Sequence, residues 1–270
     1  MSDADIAEEN RRTETVPPRL VRRTRAVVAL AFGLTALAAT GVRTDAGDAV
    51  AGQWFAGASV GLAAVCWILV SNRAENRASP GDAVGSTLGP ANAVTVGRGV
   101  LSAWVLGFAV VAVRPAEFDA WFPALAYGVA VVSDALDGAV ARALNCETRL
   151  GERLDVEYDA FGLLAAATAG VVGGVVPWPY LAVGVARYAF VAARAVRRRR
   201  NRPVFDLPPR RSRRVLAGLQ MAYVVVALAP PTPRVVAVTG AALCGLPLLL
   251  GFVRDWLLVT GRRTDARRRR

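Results

Sequence analysis

Eight apolar stretches constrain this chain more than any other feature of it. They fall at about 24–42, 53–71, 99–114, 119–141, 153–176, 179–196, 214–230 and 234–258. Each is close to the length a helix needs to cross a bilayer. The third is short and extends back through 92–98 as an interfacial turn of helix. With 54% hydrophobic residues over 270 positions, the chain is more apolar than a water-soluble domain of that size. The expected fold is all-α: a polytopic membrane helix bundle with about eight transmembrane helices.

Charge alternates along the loops. All basic residues are arginine, the formal net charge is +12, and lysine and histidine are absent, which excludes a histidine base or a Schiff-base lysine. Arginine gathers in RRTETVPPRLVRRTR, at Arg73, Arg77 and Arg98, near Arg142 and Arg149, in RRRRNRPVFDLPPRRSRR at 197–214, and in the final RRTDARRRR. The intervening loops RTDAGDA, RPAEFD, PWPY and PPTPR are poor in it. By the positive-inside rule both termini and the arginine-rich loops face the cytoplasm, and the number of spans is even. A prokaryotic plasma membrane is the expected location. The positive charge therefore reads as membrane orientation, with 197–214 an anchor to anionic head groups, and not as nucleic-acid binding. Arg22, Arg23 and Arg25 ahead of the first stretch give it the shape of a cleavable leader, but its continuation to Val42 makes it long enough to span. Cys66, Cys146 and Cys244 are isolated, without disulfide-framework or zinc-ligand spacing.

The pattern divides the chain into a cytoplasmic tail (1–23), a two-span N-terminal addition (24–71), a Gly-, Pro- and Ser-rich linker (72–91), one six-helix unit (92–260) and a basic C-terminal tail (261–270).

Within the six-helix unit, DALDGAVARALNCETRLGERLDVEYD places four aspartates beside apolar sequence. Asp134 and Asp137 are three apart, and Asp155 and Asp159 four apart, so each pair shares a helix face. A hairpin through 142–149 turns the pairs toward each other at one membrane edge. Four hard oxygen ligands converging from two helices suit Mg²⁺ or Mn²⁺, and two such cations would balance the four charges. Gly138, Ala141 and Gly151 leave room for a ligand against the backbone, although small residues in membrane helices usually serve close packing. Arg142 is placed to meet a phosphate.

These residues fit D-x2-D-G-x2-A-R-x8-G-x3-D-x3-D at every fixed position: Asp134, Asp137, Gly138, Ala141, Arg142, Gly151, Asp155 and Asp159. The chance of such a match is on the order of 10⁻⁸ if each position is a one-in-ten coincidence. The stretch resembles the signature of CDP-alcohol phosphatidyltransferases. PANAVTVGR at 90–98 is similar to the family's P-N-x-x-T-x-x-R segment through Asn92, Thr95 and Arg98, with Ala91 inserted after Pro90. The resemblance covers about 92–260 and leaves 1–71 outside it.

The resemblance implies transfer of a phosphatidyl-type group from a CDP-linked lipid donor to a small alcohol acceptor, with release of CMP. It implies Asp134, Asp137 and Asp155 as metal ligands and Asp159 as general base that also touches metal. Gly138, Ala141, Arg142 and Gly151 would surround the CDP group, and Asn92, Thr95 and Arg98 would hold nucleotide or pyrophosphate. It also implies a homodimer formed through membrane helices.

For the acceptor, Arg149 and Arg153 open the Asp155 helix, and Arg187 and Arg194 lie seven apart on one face of the sixth stretch. Together they suit a phosphorylated polyol such as glycerol 3-phosphate or inositol phosphate. Alternatively Arg187 pairs with Glu157 or Asp159, and an uncharged or amino-alcohol acceptor such as serine is used. A different class, an ion- or proton-coupled transporter, would use intramembrane carboxylates as a pathway, but it predicts internal repeats and mid-membrane acids.

Overall fold

Residues 16–111, 117–144, 148–208 and 210–262 are described by a computed structural model, those at 117–119 and 135–144 by their backbone alone. Most of the expected N-terminal tail, the C-terminal basic tail and Cys146 lie outside these residues. The described residues form eight α-helices: α1 (Pro18–Ala46), α2 (Asp48–Asn72), α3 (Pro90–Gly107), α4 (Glu117–Leu144), α5 (Arg149–Val172), α6 (Leu181–Arg199), α7 (Arg211–Leu228) and α8 (Arg234–Val259). Each apolar stretch has its helix. The third differs most, because residues 90–98 are the first turns of α3 itself. Pro90 sits at its first position, where a missing N–H costs nothing and the fixed φ already suits the helix.

Among the described residues three helices are long and apolar enough to cross a membrane: Pro18–Ala46, Asp48–Glu75 and Arg234–Val259. Leu30 and Leu37 on α1, Val129 and Val132 on α4, and Leu243 and Leu250 on α8 are exposed. An exterior this apolar fits a lipid surround.

The helix α3 is the hub, packed against α2, α4 and α5. Its small residues Gly99, Ala103 and Gly107 repeat every four positions and let α2 approach. A Cβ on Gly99 would lie 2.8 Å from Val65 Cγ1, and one on Gly107 would lie 2.7 Å from Trp54 Nε1. Side-chain hydrogen bonds fix the contact. Trp54 Nε1 donates to Trp104 O at 3.1 Å, Trp104 Nε1 to Thr35 Oγ1 at 2.9 Å, and Tyr158 Oη to Val65 O at 2.9 Å. Helices α1 and α2 are thereby seated on α3 and α5.

A second core joins α4–α8 around Tyr127, Ala166, Ala167, Val183, Val224 and Leu248. Gln220, fully buried, accepts from Tyr180 Oη at 2.6 Å and donates to Cys244 O, so its amide is satisfied between three segments. Where α7 begins, Arg213 Nε meets Asp255 Oδ2 of α8 at 2.6 Å.

Of residues 72–91, expected as a linker, the ends belong to α2 and α3, and 73–88 form a hydrogen-bonded loop. Arg77 is buried and donates through Nη2 to Ala74 O at 2.7 Å and through Nη1 to Asp82 O at 3.2 Å.

Candidate active site

Asp134 stands in the second half of α4, and Asp155 and Asp159 lie in the first half of α5. One carboxylate oxygen from each lies within 4.8 Å of the others, close enough to hold a metal ion together. Their side chains keep 36%, 42% and 29% exposure, so the cluster is accessible and not sealed in the core. Asp137, Gly138, Ala141 and Arg142 follow on the backbone of α4, and their side chains lie outside the described residues.

Arg98, expected against the nucleotide or pyrophosphate, enters this cluster from α3. It is 5% exposed, and its Nη1 lies 2.6 Å from Asp155 Oδ1 and 2.7 Å from Asp134 Oδ1, while Nη2 bonds Asp159 Oδ1. A forked guanidinium reaches several carboxylates at once, which an ammonium does not. One guanidinium faces three carboxylate groups, so acidic groups are in surplus. That surplus, carried by hard oxygen donors, fits divalent cations of the Mg²⁺ and Mn²⁺ class.

Asn92 and Gly151 meet each other. Asn92 is buried, and its Nδ2 donates to Thr148 Oγ1 at 3.2 Å. Thr148 caps α5 by accepting from Gly151 N at 3.1 Å. A Cβ on Gly151 would lie 2.7 Å from Asn92 Oδ1, so this position has to be small for α3 and α5 to come together. Thr95 is also buried, its hydroxyl donating to Ala91 O at 3.0 Å. Both α3 and α5 thus leave a shared brace in the same direction, and about two turns on they present Arg98 and Asp155.

Beneath the aspartates lies a cavity of about 10 Å³, lined by Arg98, Ser102, Tyr127, Tyr158, Asp159 and Met221 among others. Tyr127 is 2% exposed, and its hydroxyl has no hydrogen-bond partner among the described residues. Sequence reasoning missed both Tyr127 and Thr148. Tyr127 precedes Asp134 by seven residues, two helical turns, and that spacing was its one available signal.

The four candidate acceptor residues are spread out. Arg149 Nε pairs with Glu75 Oε2 at 3.1 Å, and Arg153 is exposed. Arg187 Nη2 pairs with Glu157 Oε1 at 3.0 Å, the pairing weighed as its alternative. Glu157 is two residues from both Asp155 and Asp159, about 200° around the helix, so Arg187 engages the flank of α5 away from the aspartates. The Arg194 guanidinium carbon lies 6.0 Å from the centre of the Phe190 ring.

No curated protein and no solved structure matches the chain. The family model described as CDP-alcohol phosphatidyltransferase matches residues 89–253, well over half of the chain and inclusive of everything from Asn92 to Asp159. A membrane transporter finds no support in that match. With the aspartates gathered around Arg98 and the match running through all of them, the chain belongs to the CDP-alcohol phosphatidyltransferase family.

Proposed function

We propose that this integral membrane enzyme moves a phosphatidyl-type group from a CDP-linked lipid to a phosphorylated polyol, such as glycerol 3-phosphate or inositol phosphate, and releases CMP. Family membership supports transfer from a CDP-alcohol in phospholipid synthesis. The observation that carries the site assignment is the convergence of Asp134, Asp155 and Asp159 on one point.

In this reading Asp159 accepts the proton of the acceptor hydroxyl. The freed oxygen bonds to the β-phosphorus, which bears the lipid, and the bond from that phosphorus to the bridging oxygen breaks, so CMP leaves with the electron pair. Asp134, Asp137 and Asp155, with Asp159, would hold two divalent cations, Mg²⁺ or Mn²⁺, which supply charge neutralisation at the pyrophosphate when bound. Arg98 keeps the carboxylates at fixed separations, so the site is organised before substrate arrives. Arg142, with Gly138 and Ala141, would line the CDP group. The remaining work is positioning. Eight membrane crossings with both termini and the site in the cytoplasm, and a homodimer, complete the proposal. They follow from the arginine distribution and the family resemblance.

A second reading, an uncharged or amino-alcohol acceptor such as serine, is favoured by one observation. Arg149 and Arg187 already have carboxylate partners, so a phosphorylated acceptor has to displace Glu75 or Glu157.

The test is CMP release by the purified protein with a CDP-diacylglycerol donor, Mn²⁺ or Mg²⁺, and glycerol 3-phosphate, inositol phosphate, inositol or serine in turn. Release that depends on one acceptor, and vanishes with chelator and in Asp159→Asn, is expected. Folded protein that neither releases CMP nor binds the donor would overturn the proposal.

A further inference from the structure

The family match begins at residue 89, yet the loop just before it is tied to the site's framework. Asn76 is 2% exposed and fully engaged. Its Nδ2 donates to Thr87 O at 2.9 Å and Gly85 O at 3.1 Å, its backbone O accepts from Gly85 N at 2.7 Å, and its Oδ1 accepts from Asn92 Nδ2 at 3.4 Å. Asn92 in turn bonds Thr148, the cap of α5. Next door, Arg77 O accepts from Arg149 N at 2.9 Å, and Glu75 pairs with Arg149. So the loop grips the first turns of both helices that deliver Arg98, Asp155 and Asp159.

We infer that residues 73–88 form a clamp that sets the affinity for the CDP-linked donor, with Asn76 as a positioning residue acting through Asn92. The inference rests on the function proposed above. Helices that share one brace at their N-termini carry any slip of it along their length to the aspartate cluster, and displacements of that kind are costly in a site that works by positioning. The clamp lies outside the matched domain and is supplied by the segment leading out of α2. That gives α2 a part in setting the site, because it runs directly into the loop and holds its start in place.

The experiment uses the full chain in detergent, with donor titrations of CMP release and, independently, calorimetric binding of CMP in the presence of Mn²⁺. Asn76→Ala is expected to raise the donor KM and the CMP Kd at least about fivefold, and to lower kcat as far as Asp159 is displaced. Asn76→Ala combined with Asn92→Ala should be no worse than Asn92→Ala alone, because the two act in series. Should Asn76→Ala fail to fold, Gly85→Ala is the milder probe. Its Cβ would press on Asn76 Nδ2 and O at 3.1 Å each, and the same shift in smaller measure is expected. A donor KM and CMP Kd within twofold of the parent overturns the clamp. If Asn92→Ala alone then raises them, the fault lies with the loop. If neither substitution does, the donor-side reading of this end fails with it. A parent protein that releases no CMP and binds none overturns the functional proposal first.

Discussion

The Nη1 nitrogen of Arg98 lies 2.7 Å from Asp134 Oδ1 and is nearly sealed from solvent, so α3 and α4 are joined at the candidate site through a cation that also touches α5. The guanidinium is the one positive charge described inside the cluster. It bonds carboxylates on two other helices at once.

Arg98→Lys tests that role. The charge is kept but the fork is lost, so a single ammonium cannot hold Asp155 and Asp159 with separate nitrogens. The protein should fold, while CMP release falls by about 10²-fold, the scale of a misplaced reacting group. Arg98→Gln should also destabilise the fold, since it leaves three carboxylates facing one another. Melting temperature and CMP release measured together separate the two effects.

The aspartates should divide by role. Asp134→Asn and Asp155→Asn weaken metal holding, so more Mn²⁺ is needed for half-maximal activity. Asp159→Asn removes the proposed base, and kcat should drop by roughly 10²–10⁴-fold even at saturating Mn²⁺. Chelation should abolish activity in the parent enzyme and Mn²⁺ should restore it. A Mn²⁺ titration of each variant reads the division directly.

Tyr127→Phe removes a buried hydroxyl that has no partner among the described residues. An unsatisfied buried donor costs about 1–3 kcal/mol, so the phenylalanine variant should melt at the same temperature or higher. Activity should stay close to that of the parent. A loss of stability would show that the hydroxyl is hydrogen-bonded in the working protein.

Much of this could be read from the sequence, and the exceptions have physical reasons. Carboxylate pairs at helical spacing reveal a shared face, and Asp155 and Asp159 do meet Asp134, while the turn expected between their helices falls partly outside the described residues. The position of Arg98 was not legible, because nothing local distinguishes a cation bound for a phosphate from one bound for carboxylates on two other helices. Thr148 was missed because a capping box needs Glu or Gln three residues on, and Gly151 stands there. The loop at 73–88 has the composition of a linker. Its order comes from Asn76 and Arg77 bonding to backbone carbonyls, and that leaves no pattern in side chains. The Gly99, Ala103, Gly107 repeat went unread, because which helix it admits depends on the fold.

Gly107→Ala addresses how firmly α2 is seated. Its Cβ would lie 2.7 Å from Trp54 Nε1 and 2.9 Å from Trp54 O, a backbone atom that cannot swing aside. Relief requires α2 to move and the Trp54–Trp104 hydrogen bond to stretch. A loss of about 1–3 kcal/mol is expected, as for other overpacked sites. Gly33→Ala, with nothing within 4 Å of its Cβ, is the matched control and should be neutral or slightly stabilising. Thermal unfolding in one detergent compares the two.

Arg187 and Glu157 make the last case, because their pairing lets acceptor binding be told apart from charge balance. If Arg187 serves to neutralise Glu157, then Glu157→Gln and Arg187→Gln each destabilise, the double variant recovers, and the acceptor KM does not move. If Arg187 holds the phosphate of the acceptor, Glu157→Gln frees it and the acceptor KM should fall, while Arg187→Gln should raise it about tenfold or more, as expected on losing a charge-assisted hydrogen bond. Since Arg187 sits on the flank of α5 away from the aspartates, the first pattern is the expected one. Acceptor titrations on the four proteins of this cycle, with melting temperatures alongside, decide between them.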